Sequence, residues 1–150
     1  MPCYDRVIEN QDEKKQMQDI SGIIYLILIA CLLPYIFTVI AKVAAGFKGK
    51  DNQNPREFLA KTTGLAARAN AVQQNSFESL PLFITSILIA EYMVISQFVI
   101  MTFGIAYILL RIVYGIAYLA NLSTLRSVIW FISMLCPITL LLLVIKLTLG

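Results

Sequence analysis

An arginine, several carboxamides and a carboxylate interrupt one of the apolar stretches of this chain. The run reads Arg68-Ala69-Asn70-Ala71-Val72-Gln73-Gln74-Asn75-Ser76-Phe77-Glu78-Ser79-Leu80-Pro81-Leu82-Phe83. Such groups are costly at membrane depth, so they face a bundle interior or a wet cavity and mark functional positions. On a helix of about 3.6 residues per turn, Arg68, Ala71, Asn75, Glu78 and Leu82 form one stripe, with Gln74 at its edge. A second stripe, Tyr107, Arg111, Tyr114 and Tyr118, follows a four, three, four spacing. Arg111 lies about seven residues, or ~10 Å, below the level of Tyr118, farther than its side chain can snorkel. It therefore calls for a carboxylate or an anionic ligand, and Glu78 is the carboxylate at comparable depth. Tyr107 and Tyr114 are too deep for the interfacial aromatic belt that accounts for Tyr92 and Trp130, so this stripe reads as a cavity wall. One Arg–Glu or amide contact between helices can be structural glue. Two stripes that reach the same end, with Arg126 just beyond them, indicate a site.

The elements that must position these residues are apolar helices. Hydrophobic residues make up 59% of the 150 and charged residues 14%, against about 45–50% and 25% in soluble domains, which places the chain in the membrane class. Four segments, near 20–45, 65–90, 98–120 and 125–149, reach the roughly 20 residues a helix needs to cross a bilayer. They consume the chain as a single domain, 1–150. The segment before residue 20 is polar and more acidic than basic, unlike a cleavable signal, so the first helix reads as a retained span. Cys3, Cys31 and Cys136 are scattered and there is no histidine, so no metal site is indicated. A net charge of +3 without a basic patch gives no sign of nucleic-acid binding.

Basic residues set the expected orientation. Lys42, Lys48, Lys50, Arg56 and Lys61 flank the first connection and Arg126 the third, while the second, near Glu91 to Gln97, has none. Positively charged short loops stay in the cytoplasm, which places connections one and three there and both termini opposite. The N-terminal segment, with Arg6, Lys14 and Lys15 among five acidic residues, carries the least information. Gly46, Gly49, Asp51, Asn52, Asn54 and Pro55 supply turn chemistry. Pro55 suits the first turn of a helix capped by Asn54, and that helix could run into the second span with a kink at Gly64. Pro34, Pro81 and Pro137 fall inside spans.

At these residues the sequence resembles the MAPEG family, the membrane-associated proteins of eicosanoid and glutathione metabolism. The resemblance lies in Arg68-Ala69, Asn75-x-x-Glu78-x-x-Pro81 with Phe83, then Arg111-x-x-Tyr114-x-x-x-Tyr118-Leu119 and Arg126-Ser127-Val128. Asn54-Pro55-Arg56 is similar to bacterial-type members. It implies an all-α integral membrane fold, a left-handed bundle of four transmembrane helices assembled as a homotrimer. Glutathione, the co-substrate, would lie between subunits near the cytoplasmic side. Arg68 and Arg111 would meet its carboxylates, Glu78 and Asn75 its ammonium and peptide groups, with Gln74 beside them. Tyr114 and Tyr118 would wall the site, and Arg126, after a connection one residue shorter, would stabilise the thiolate with Tyr118. Eukaryotic relatives commonly have an arginine four residues before the motif asparagine; here it is Ala71, with Arg68 as the substitute on the same stripe.

The expected function is a glutathione-dependent transferase or peroxidase acting on an apolar small molecule from the bilayer. A cation beside the thiol favours the thiolate, which attacks the electrophile. The alternative is a non-catalytic lipid-binding or scaffold protein, since the family also contains a lipid-presenting member. An ion conduit ranks last, because the 80–90 half of the second span is almost wholly apolar. Expected partners are a second and third copy of the chain, membrane lipids and the apolar substrate.

Overall fold

The computed structural model describes residues 2–149, with side chains from residue 20 onward. The side chains of Cys3, Arg6, Lys14 and Lys15 lie outside the described residues. Five α-helices and one short 3-10 turn, Gly49–Gln53, make up the described chain: α1 (Pro2–Ala44), α2 (Pro55–Ala60), α3 (Gly64–Tyr92), α4 (Gln97–Leu119) and α5 (Ser123–Leu149). Ile20–Ala44 of α1, α4 and α5 are long and apolar enough to cross a membrane. At 29 residues, or about 43 Å, α3 is long enough too. Its amides and Glu78 dilute it, so three helices rather than the expected four meet the criterion.

α1 packs on α3 and α4, α4 on α5, and α3 on both α4 and α5. The largest core joins Leu26 and Ala30 of α1, Phe83 and Ile87 of α3, Ile100 and Ile108 of α4, and Leu140 of α5. A second core, towards the polar end, joins Leu33 and Phe37 to Val72, Tyr114, Ala117 and Ile129. α1 and α4 approach closely because α4 places Gly104 against Leu26 and Gly115 against the Phe37 ring, where a Cβ would collide with either side chain.

The buried face of α3 is built from small residues, including Ala66, Ala69, Ser76, Ser79, Ser86 and Ala90. Each serine hydroxyl donates to its own helix: Ser76 to the Val72 carbonyl at 2.8 Å, Ser79 to that of Ser76 at 3.0 Å, Ser86 to that of Phe83 at 2.8 Å. The hydroxyls are thereby satisfied, and neighbouring backbones can approach as small residues permit in membrane bundles.

Three helix ends close in the same way. Gly46 (φ +66°), Val94 (φ +55°) and Asn121 (φ +61°) adopt left-handed backbone just past α1, α3 and α4. The next amide bonds back in each case: Phe47 to the Lys42 carbonyl, Ile95 to Ala90, Leu122 to Ala117. This is the Schellman arrangement, for which glycine or asparagine is suited and a β-branched residue is not. α2 does not run into α3: it ends at Ala60, and α3 starts afresh at Gly64 with φ +62°. Asn54 occupies the cap position of α2, with Pro55 next, but its side chain makes no cap hydrogen bond. Pro34, Pro81 and Pro137 lie inside unbroken helices.

Candidate functional site

The two stripes face different surroundings. On α4, Tyr107, Arg111 and Tyr114 are 3%, 1% and 4% exposed; Tyr107 and Arg111 are buried inside their own chain, and of the three Tyr114 alone borders a cleft. On α3, Arg68 and Asn75 are half-buried while Gln74 and Glu78 are exposed. The interior of α3 instead follows the Ala and Ser face described above, rotated from the polar stripe.

Arg111 Nη2 donates to Asn75 Oδ1 at 2.9 Å and to Ser76 Oγ at 3.0 Å, and the guanidinium carbon stands 4.4 Å from the Tyr114 ring centre. Its Nε and Nη1 are buried without a hydrogen-bond partner. The expected Arg111–Glu78 ion pair is not formed; the single ion pair among the described residues is Lys61–Glu57, 2.6 Å, on the surface. The reason is helical phase. At about 100° per residue, Ser76 turns from Asn75 towards the core, whereas Glu78 comes to lie on the other side of Asn75, away from α4.

Arg68 makes a contact that its stripe did not suggest. Its Nε donates to the Leu119 carbonyl at 3.1 Å, one of the acceptors that a helix leaves unpaired at its C-terminus. A cation there also suits the helix dipole, so Arg68 ties the start of α3 to the end of α4. Tyr107 shares a 2.8 Å hydrogen bond with Ser79 and stacks on Phe83 with ring centres 4.1 Å apart; it is a core residue. Beyond it the aromatic stripe continues. Tyr114 and Tyr118 meet edge to face at 5.6 Å, and the Arg126 guanidinium lies 4.2 Å over Tyr118.

Two clefts flank α3. One, of about 420 Å³, lies between α3, α4 and α5 and is lined by Asn75, Tyr114, Arg126, Ser127, Trp130 and Phe131. Arginine, amide, hydroxyl and indole groups make it rich in donors, suited to a carboxylate, carbonyl or thiolate. The other, of about 540 Å³, lies between α1, α2 and α3 and combines Lys42, Arg56, Gln73, Gln74, Asn70 and Glu78. It carries both charge signs. Gln74 and Glu78 are thus separated from Asn75, Tyr114 and Arg126; Tyr118 touches the first cleft only through its ring contacts, and Arg68 and Arg111 line neither.

Lys42, Arg56 and Gln73 were not among the residues expected here. Lys42 and Arg56 had served only to orient the first connection. Nothing in their spacing reveals that α2 folds back on α3 after Pro55. Trp130, assigned to an interfacial belt, lines the donor-rich cleft one helical turn after Arg126, a spacing that the sequence does contain.

Compared with known proteins, residues 22–146 match the family model described as the MAPEG family. No curated protein and no solved structure matches the chain.

Proposed function

The chain belongs to the MAPEG family, and on that premise we propose that it is a glutathione-dependent transferase or peroxidase working as a homotrimer in the membrane. Membership and the apolar helices make it an integral membrane protein. In this proposal α3 is the fourth crossing. Its outward stripe, which a lone chain leaves facing lipid, is covered by the next subunit, as closed cyclic symmetry allows. The first and third connections face the cytoplasm, where glutathione is available, and both termini lie on the opposite side.

The observation that carries the reading is the separation of chemistry on the two flanks of α3. Arg126, Ser127, Tyr114 and Asn75 gather in one cleft, and Glu78 with Lys42 and Arg56 in the other. A zwitterionic peptide bearing a thiol needs both sets. Its ammonium requires a carboxylate, its carboxylates require cations, and its thiol requires a cation that does not compete for the proton. Facing clefts of adjacent subunits would supply all three.

In the reaction, glutathione loses its thiol proton to solvent and the Arg126 guanidinium holds the resulting thiolate electrostatically. Tyr118 holds that guanidinium over its ring, 4.2 Å from the ring centre. Tyr114 and Asn75 bind the peptide. In the transferase case sulfur forms a bond to the electrophilic carbon as the leaving group departs with its electron pair. The electrophile enters from the bilayer. Titrating the purified protein with glutathione in detergent at neutral pH, and reading ultraviolet thiolate absorbance, tests this. A saturable signal supports it; no signal and no binding would sink it.

One observation favours a second reading. An apolar groove of about 310 Å³ runs between α1 and α4, lined by Gly22, Tyr25, Leu26, Ile29, Met101 and Ile105. In a non-catalytic lipid-binding or scaffold protein of this fold it would seat an acyl chain. Co-purification of a stoichiometric lipid, with no thiolate in the titration, would select that reading.

A further inference from the structure

Arg111 is the most deeply buried charge among the described residues, at 1% exposure, yet it lines neither cleft and meets no carboxylate. Its Nε and Nη1 are enclosed within the single chain, so a neighbouring subunit cannot reach them. What Arg111 does touch is the floor of the donor-rich cleft. Nη2 bonds Asn75 Oδ1, the guanidinium faces the Tyr114 ring, and both Asn75 and Tyr114 line that cleft.

Chemistry fixes what this contact means. A guanidinium only donates, so the Asn75 atom bonded to it must be the amide oxygen. The amide nitrogen is then turned away from Arg111, and no group among the described residues accepts from it. We propose that Arg111 is a positioning residue: it locks the Asn75 amide so that the cleft receives an N–H donor instead of a carbonyl, and so selects an acceptor on the ligand. Tyr114 is held by the same group. Its ring passes the constraint to Tyr118, on which Arg126 rests. One buried cation thereby sets the orientation of the peptide-binding amide and supports the platform of the thiolate-binding arginine. An amide free to turn over would present donor and carbonyl equally and discriminate poorly between acceptor and donor ligands.

The identity of the ligand rests on the proposed function; the locking of Asn75 does not. The first readout is therefore free of ligand. Protein labelled with nitrogen-15 at asparagine side chains is observed by NMR in nanodiscs, and the Asn75 amide signal is the one missing from Asn75→Ala. Arg111→Met should move that signal towards those of free, mobile amides and leave the other asparagines in place. Arg111→Lys, which restores a donor, should return it part of the way. If Arg111→Met fails to assemble, Arg111→Lys carries the test by itself, because loss of the planar fork must still shift the signal. An Asn75 amide that stays put in every assembled Arg111 variant overturns the proposal.

The second readout is a double-mutant cycle on glutathione affinity. Arg111→Met and Asn75→Ala should each weaken binding roughly tenfold, the loss of one charge-assisted or well-placed hydrogen bond. Together they should cost no more than Asn75→Ala by itself. Additive losses would mean that Arg111 contacts the ligand directly and would overturn a positioning role. Wild-type protein that binds no glutathione would remove the proposed function, while the amide signal still decides the role of Arg111.

Discussion

Glu78 and Arg126 stand on either flank of α3, and the expected consequences of removing them differ accordingly. Arg126→Ala should abolish the thiolate absorbance while glutathione affinity stays within a few-fold, because the peptide is held by other groups. Glu78→Ala should weaken binding about tenfold, corresponding to about 1.5 kcal/mol for a lost charge-assisted hydrogen bond. The fold should survive this change. Glu78 is exposed and has no ion pair with Arg111, so its loss strands no buried charge. Isothermal titration and thiolate absorbance on assembled protein check both; equal loss of affinity in the two variants would contradict the division of labour. Most of these residues were legible in the sequence as types and spacings. Their grouping was not, since helical phase sends Asn75 and Glu78 into different clefts although they share a stripe.

At the level of the helix, the ends around the first connection were the legible part, because Gly46 and Pro55 carry their conformational preference in their covalent structure. The inward face of α3 was not. Membrane logic selects the most polar stripe as the inward one, but the serine hydroxyls bond their own backbone and let the Ala and Ser face form the interior instead. Val94 is the exception among the helix ends, a β-branched residue in left-handed backbone. Such a conformation costs roughly 1–2 kcal/mol for an L-residue, and Val94 is 88% exposed with no packing to lose. Val94→Gly should therefore stabilise the protein by about 1 kcal/mol and raise its melting temperature in detergent; a fall would mean the strain is absent. Gly115→Leu should do the reverse. It forces the Phe37 ring out of the α1–α4 seam, and overpacking of this kind costs about 1–3 kcal/mol or more. Thermal melts of the two variants should move in opposite directions.

For the molecule as a whole, the outward polar stripe of α3 predicts assembly. Detergent-corrected light scattering should return three copies, and a stable monomer would remove the facing-cleft site. Orientation can be read with an impermeant thiol reagent on a background lacking Cys3, Cys31 and Cys136. Cysteine at Ser96 should label from outside intact cells and cysteine at Lys50 should not. Labelling of position 50 with protection of position 96 would invert the arrangement.

The modest apolarity of α3 has a consequence for how the protein is made. During synthesis α3 emerges before α4, carrying Arg68, its amides and Glu78 into a channel that releases segments into lipid according to their apolarity. By itself it is a poor substrate for that release. Its polar contacts are with α4: Arg111 to Asn75 and Ser76, Tyr107 to Ser79, and Arg68 to the Leu119 carbonyl. α3 is therefore expected to wait in the channel and enter the bilayer together with α4 as a hairpin. In chains cut after residue 92 and followed by a soluble tether, a photoreactive probe in α3 should cross-link to the channel, and in chains extended through residue 122 it should cross-link to lipid; lipid cross-links from the shorter chain would show that α3 needs no companion.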